Sequence, residues 1–451
     1  MSNKLDILRE QHPLFVYESF SWKKEKTNLV AQFSYKVHPD ILFSPQVEIV
    51  DAFSETHENL NEKVIDNLVF HLGLIEMPSY WKATCSPKIL IKCGSLNEAQ
   101  INWWQKLIIN GLGEFFYKNK INFKQTGFLN IEATGKQLLT KDKSKKNNRS
   151  LVLIGGGKDS IVSLEFLKQQ KQSFNTLILN PDSVSIKISE TAGNDKPIVV
   201  KRNIDPNLLK LNENSYFNGH TPFSAYLAFV ANFCAYLFDY KYVISSNERS
   251  SDEENIVFLN SPINHQYTKS KSFEQDFRKY SKEYLSEGIE YFSLLRPLYE
   301  IQISKIFTNY SQYFQIFRSC NVGRKEDKWC EDCPKCLSVF MSLYPYLSET
   351  DLQSIFQSNL YEKIGFKNLL LQMVGKNKPK PFECILTYEE AKLALSLAIE
   401  KNSNEKKELP ILLKIANDEI LSTTSVDNNL LSSWGKNFLP ANLERELKKL
   451  I

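Results

Sequence analysis

Leu151-Val-Leu-Ile-Gly-Gly-Gly-Lys-Asp-Ser160 decides how the rest of the chain is read. Its four apolar residues predict a buried strand, the three glycines a tight turn, and Ile161-Val-Ser-Leu-Glu-Phe-Leu167 a helix with an apolar stripe. A strand-loop-helix of this kind leaves backbone N–H groups at the helix N-terminus without intrahelical partners, and residues lacking Cβ let an oxyanion come close to them. Phosphate is the natural ligand. Gly155, Gly156 and Gly157 would cradle it, Lys158 would add a point charge and Ser160 a hydroxyl donor, while Asp159 would either cap the helix or help to hold magnesium. The spacing is neither that of a Walker A loop nor that of a dinucleotide fold. A glycine-rich turn without a ligand is the plainer alternative.

Outward from this loop, strand-like residues 151–154, 176–179, 198–200 and 242–245 alternate with helix-like stretches, which predicts a parallel, doubly wound sheet. Ligands of such sheets lie at the carboxyl ends of the strands, so residues 218–224 and 245–251 join the loop as site candidates. His220 reads either as the neighbour of a Thr221-Pro222 helix cap or as an acid/base group. Asn247 and Glu248 can hydrogen-bond a base or ribose, and Arg249 can grip phosphate or carboxylate. Residues 263–274 bring His265 and two lysines into one polar segment, either an anion clamp or a solvated loop.

The chain divides on this reading into an α+β unit at residues 1–140, a basic linker at 141–150, the nucleotide domain at 151–345 and a helical region at 346–451. In the first unit, residues 17–20 and 29–35 predict strands of a meander, and 60–75 a helix ending near Gly73. Residues 76–87 read as a loop carrying two aromatics, a carboxylate, a lysine and Cys85, and 100–117 as a buried helix broken at Gly111 and Gly113. Residues 291–298 predict a strand ending in Arg296-Pro297, and 379–384 an extended break that carries Cys384.

At 451 residues, 42% hydrophobic and 24% charged, the chain sits in the ordinary globular class, and a net charge of +4 argues against nucleic acid or a membrane surface as partner. There is no signal-peptide pattern and no run of the ~18 apolar residues a spanning helix needs, so a cytoplasmic location is expected. In that compartment eight cysteines point to thiols and metal ligands. Cys320, Cys330, Cys333 and Cys336 follow C-x9-C-x2-C-x2-C, a spacing that predicts a closed four-thiolate structural zinc site, with an iron–sulfur cluster as the competitor.

The Gly-Gly-x-Asp-Ser run at 156–160 resembles the loop of the ATP pyrophosphatase (PP-loop) superfamily, with Gly155 where that pattern has a serine. Together with the cysteine knuckle it is similar to the 7-cyano-7-deazaguanine synthases over residues 151–340. A likeness spanning nearly the whole chain is to the ATP-dependent UDP-N-acetylmuramoyl-L-alanyl-L-glutamate epimerases. It rests on residues 72–83, 111–117, 155–160, 218–224, 246–250, 264–267, 329–336 and 380–384. The triple-glycine loop also looks like the epimerase version. That resemblance implies ATP and Mg2+ as cofactors, a UDP-MurNAc-dipeptide substrate, and inversion of glutamate through an acyl-adenylate with release of AMP and pyrophosphate. His220, His265, Cys85 and Cys384 have the chemistry of the proton-transfer group. Another adenylating PP-loop synthase and a non-catalytic nucleotide-binding protein are the competing readings, and the oligomeric state stays open.

Overall fold

A computed structural model describes residues 4–53, 60–136 and 140–451. The strands are β1 (Leu14–Glu25), β2 (Asn28–Val37), β3 (Ile41–Phe43), β4 (Gln46–Ile49), β5 (Lys88–Ile91), β6 (Asn130–Ala133), β7 (Ser150–Leu153), β8 (Phe174–Leu179), β9 (Ile198–Asn203), β10 (Tyr242–Ser245), β11 (Ile256–Phe258), β12 (Ser261–Ile263) and β13 (Glu290–Ser293). Eleven of them form one mixed sheet in the order β13-β10-β7-β8-β9-β4-β2-β1-β5-β6, with β3 paired to β2, while β11 and β12 form a hairpin.

Two parallel blocks flank an antiparallel centre. β13, β10, β7, β8 and β9 run parallel, as do β1, β5 and β6, and β9-β4-β2-β1 pair antiparallel between them. The sheet therefore passes without a break from the N-terminal residues into those around the glycine loop. Its composition follows from position. β7 is buried on both faces and reads Ser-Leu-Val-Leu, whereas β2 alternates buried and more exposed residues along most of its length.

Residues 60–75 do form a helix, but it spans Glu62–Glu76 and runs through Gly73. A Cβ there would overlap the Tyr17 hydroxyl, so the glycine serves a close approach and not a helix end. Residues 76–87 are only partly a loop: Pro78–Trp81 add a further helical turn, 82–87 are turn and irregular, and residues 76–86 are all buried. The helix Phe223–Leu237 has Pro222 in its N-cap position without a side-chain cap, so Thr221 does not cap it. β13 stops at Ser293, because Arg296 turns inward to a buried ion pair with Glu274 at 2.8 Å. The charged run at 141–149 is anchored at two points, while Lys143, Ser144, Lys145, Asn147 and Asn148 stay exposed. Asp142 and Lys146 are buried and paired at 3.0 Å, and Asp142 accepts a hydrogen bond from Ser286 at 2.8 Å.

Beyond residue 346 the chain is helical at Glu349–Ile355, Lys367–Met373, Tyr388–Asn404, Ile411–Ile415 and Ala441–Leu447. Among the described residues no helix is long and apolar enough to cross a membrane.

Candidate active site

β7 leads into β8 and β9 on one side, and the chain then returns to place β10 and β13 on the other. This reversal opens a crevice beyond the carboxyl ends of β7 and β10. Residues 155–160 follow β7 and enter the helix Lys158–Gln169, whose N-cap Gly157 has no side chain to satisfy the first N–H groups. Gly156 sits at φ +85°, and nothing lies within 4 Å of where a Gly155 Cβ would be. Ser319 packs on Gly157, and its buried hydroxyl has no hydrogen-bond partner. An oxyanion in the loop would supply one. Arg324, which sequence reasoning missed, donates to the Gly155 carbonyl and pairs with Asp182 at 2.5 Å.

Lys158 does not reach freely into the loop. It is 2% exposed and bridges Asp159 Oδ1 at 2.6 Å and Glu300 Oε1 at 2.9 Å. Asp159, Glu248 and Glu300 place one carboxylate oxygen each within 4.8 Å of one another, a donor set suited to a hard divalent cation. Burial would push Glu300 up, but Lys158 and then Lys335 outweigh it and hold it down at about 2. Glu248 goes the other way: burial raises it to about 7, Lys269 opposes, and the charges of Asp159 and Glu300 add to the rise. Asn247 turns back to Ser245 at 3.2 Å, while Arg249 stacks on Tyr299 and donates to Ser433 Oγ at 2.8 Å, held by the C-terminal segment.

Three of the four proton-transfer candidates meet. His265 Nδ1 lies 2.5 Å from Glu114 Oε2, His220 Nδ1 lies 3.4 Å from the same oxygen, and the two rings are 4.6 Å apart. His265 also hydrogen-bonds Cys384, whose Sγ accepts from Lys269 Nζ at 3.0 Å. Lys335 reaches Glu300 at 3.6 Å and donates to the Cys384 carbonyl, joining this cluster to the carboxylates beside the loop.

The charges interlock. Burial would raise the Cys384 thiol, but Lys269 and His265 outweigh it and bring it down to about 6, making it a thiolate at neutral pH. Burial would lower His265, yet its bonds to Cys384 and Glu114 lift it to about 9. His220 is depressed to about 4 by burial and by the charge of His265, and is neutral. Glu114 falls to about 2 because His265 and Lys118 overcome its burial. The site thus holds a base, a proton donor and a neutral imidazole in one chain.

Cys85 does not join them. It is buried at φ +51° with its thiol 3.5 Å from the Lys82 carbonyl, and burial pushes it well up. Its neighbour Lys82 points to the cluster instead, donating to the Gly219 carbonyl beside His220, and burial followed by the charge of Arg202 lowers it to about 8. Arg202 itself grips Glu76 with two nitrogens, the shortest contacts at 2.8 Å.

Cys320 and Cys333, Cys330 and Cys336, and Cys333 and Cys336 have Sγ–Sγ separations of 3.8, 3.7 and 3.5 Å, and all four sulfurs lie within 4.8 Å of one another. A tetrahedron with metal–sulfur bonds of about 2.3 Å has edges of about 3.8 Å, so the four thiols fit one ion. Backbone N–H groups of Gly323 and Glu331 donate to Cys320 and Cys336 at 3.2 and 3.3 Å, bonds that would orient the ligands. The knuckle also touches the glycine loop, since Arg318 N donates to the Gly156 carbonyl at 2.9 Å.

Glu114, Lys269, Glu300, Lys335 and Arg324 escaped assignment from sequence, since their partners lie far along the chain. Three of them carried a signal: Glu114 within the stretch 111–117 of the family likeness, Lys269 within the polar segment 263–274, and Lys335 inside the knuckle.

Fold and site together define an α/β protein with a glycine loop joined to a buried Cys-His-Glu cluster. Family models for the MurL N-terminal domain and the MurL C-terminal domain match residues 7–294 and 316–429, and the chain belongs to the MurL family. It is 32% identical over 377 residues to a Micromonospora protein named UDP-N-acetyl-alpha-D-muramoyl-L-alanyl-L-glutamate epimerase, covering 82% of this chain and 83% of that one. Proteins of the same name from Salinispora tropica and Xanthomonas oryzae pv. oryzae are 31% and 30% identical, covering 82% and 75% of this chain and 81% and 75% of theirs.

Proposed function

We propose that this chain inverts the terminal L-glutamate of UDP-MurNAc-L-Ala-L-Glu to D-glutamate in peptidoglycan precursor synthesis, consuming ATP through an acyl-adenylate. The observation that carries the reading is the continuity of two chemistries. The glycine loop at 155–160, which resembles a PP-loop, is joined through Glu300 and Lys335 to a thiolate held by Lys269 and His265. The family relationship supplies the substrate.

The α-proton of a free glutamate carboxylate is a poor acid, because removing it places a second negative charge beside the first. Transfer of AMP from ATP to the α-carboxylate oxygen removes that charge and releases pyrophosphate. The N–H groups of Gly155–Lys158 and the Arg324 guanidinium would bind the polyphosphate, and Asp159, Glu248 and Glu300 would hold Mg2+, which would neutralise phosphate charge. Lys269, beside Cys384, is placed to stabilise the oxyanion that develops when the α-proton leaves. Water then cleaves the acyl–phosphate bond. Cys320, Cys330, Cys333 and Cys336 would hold structural zinc, which fixes the segment carrying Arg318, Arg324 and Lys335.

The test is incubation of purified protein with ATP, Mg2+ and UDP-MurNAc-L-Ala-L-Glu, with chiral analysis of the glutamate and assay of AMP and pyrophosphate. D-glutamate formed only with ATP, with AMP and pyrophosphate alongside, is the expected result. AMP without inversion would move the chain to another adenylating chemistry.

A further inference from the structure

Among the described residues six lysines and arginines are buried, and five of them are paired with a carboxylate, Lys158 and Lys335 with Glu300 and Arg296 with Glu274 among them. Lys82 is the sixth. It is 5% exposed, its Nζ donates to the Gly219 carbonyl, and no carboxylate pairs with it. An ammonium has three N–H donors, and this one has a single acceptor.

Its surroundings do not make up the charge. Arg202, the cation whose field lowers Lys82, keeps Glu76 to itself and donates to Ser79 at 2.8 Å, so Lys82, Arg202 and Glu76 together carry one positive charge in excess. The Glu114 carboxylate is taken by His265 and Lys118, each at 2.5 Å. A buried cation left in this state is costly, and an anion brought to it is correspondingly favoured.

The place is the His220 end of the candidate site. Phe217 N donates to the Ala83 carbonyl at 3.1 Å and Lys82 Nζ to that of Gly219, so the turn carrying Lys82 holds the approach to His220 at two points. The charge of Lys82 adds to the depression of His220, whose ring is 4.6 Å from that of His265. This end is open to solvent: Asn218 and Gly219 are exposed, and the His220 side chain is 21% exposed.

We propose that Lys82 receives the γ-carboxylate of the substrate glutamate and makes the site specific for glutamate over an uncharged residue. This rests on the epimerase reading and deepens it. The α-carboxylate has to meet ATP at the glycine loop, and its charge disappears on adenylation. The diphosphate is separated from Cα by the muramoyl sugar and the alanine. The γ-carboxyl carbon is about 4 Å from Cα in an extended side chain and stays anionic through adenylation, proton loss and hydrolysis. It would accept the N–H bonds that Lys82 has free and offset the excess charge, whereas a γ-carboxamide would offset none of it.

The experiment compares UDP-MurNAc-L-Ala-L-Glu with UDP-MurNAc-L-Ala-L-Gln on the full chain and on Lys82→Met, measuring Kd by calorimetry without ATP and kcat/KM for inversion with ATP and Mg2+. Wild type should prefer the glutamate form at least about 30-fold in both measurements. Lys82→Met should treat the two forms within about threefold of each other and bind the glutamine form as wild type does. Its melting temperature should not fall, because the charge it removes has no partner. MurNAc-L-Ala-L-Glu, which lacks the diphosphate, should depend on Lys82 to the same degree. A wild-type preference below about threefold, which needs no variant, would overturn the proposal. So would full preference in Lys82→Met, an equal loss of both forms in that variant, or indifference of the UDP-free substrate to Lys82, which would give the lysine to the diphosphate. Wild type that binds with the expected preference yet forms neither D-glutamate nor AMP would instead overturn the epimerase reading.

Discussion

His265 Nδ1 stands 2.5 Å from Glu114 Oε2, although 151 residues separate the two along the chain. Glu114 keeps the imidazole charged against the cost of its burial, and that charge in turn supports the Cys384 thiolate. Glu114→Gln keeps the shape and removes the charge. A charge-assisted hydrogen bond is worth about 2 kcal/mol, so inversion should slow about 30-fold, with AMP release much less affected. Parallel assays of D-glutamate and AMP check this.

The pH dependence of kcat/KM for inversion follows from the same pair. Cys384 must be ionised, so activity rises as pH increases through about 6, and His265 must be protonated, so activity falls as pH passes about 9. Lys269, His265 and Lys335 face Cys384, with Glu383 adjoining, while Glu114, Cys384 and His220 face His265. Replacing Lys269 by Met should move the acid limb upward. A pH–rate profile of each protein measures both limbs.

Lys158 should matter for stability as well as for nucleotide chemistry. Lys158→Met leaves Glu300, 1% exposed, without its nearest cation, and breaking a buried pair costs about 3–5 kcal/mol. Glu300 has its folded pKa lowered to about 2, so the stability it contributes is present above about 4.5 and is lost as pH falls toward 2. Denaturant unfolding should show a deficit for Lys158→Met at pH 7 that narrows below pH 4.5.

Gly156→Ala tests the loop. A side chain there would meet Arg324 Nη2 at 3.0 Å and Val184 Cγ1 at 3.2 Å, on a backbone at φ +85°. The expected outcome is a stability loss of about 1 kcal/mol or more and an AMP-forming rate lowered more than tenfold. Thermal melts and AMP release report the two effects separately.

Chelation, or Cys336→Ser, should lower the melting temperature by about 5 °C or more and depress AMP formation with it. The coupling arises because the knuckle holds Arg318 on the Gly156 carbonyl and Lys335 on Glu300. Metal content by mass spectrometry should be one zinc per chain in the intact protein.

Local features were legible in the sequence, and long-range ones were not. The loop at 155–160 and the cysteine spacing each lie within a few turns of chain, so residue type and spacing carry their geometry. Gly73 misled because its reason is Tyr17, 56 positions away and on another element. Arg249 looked like an anion ligand, yet its partners Tyr299 and Ser433 are set by how the C-terminal helices close on the site. Among the proton-transfer candidates, Cys85 and Cys384 could not be told apart from sequence. Burial outweighs the charge of Arg9 at the first, whereas Lys269, His265 and Lys335 converge on the second.

On the proposed function, breaking the α–β phosphate bond of ATP licenses loss of the glutamate α-proton. The most direct measurement compares deuterium incorporation at Cα, in D2O with Mg2+ and UDP-MurNAc-L-Ala-L-Glu, using ATP and using α,β-methylene-ATP. One deuterium per D-glutamyl product with ATP, and none above background with the analogue, is the expected result. Incorporation and inversion at equal rates with both nucleotides, or with neither present, would contradict it.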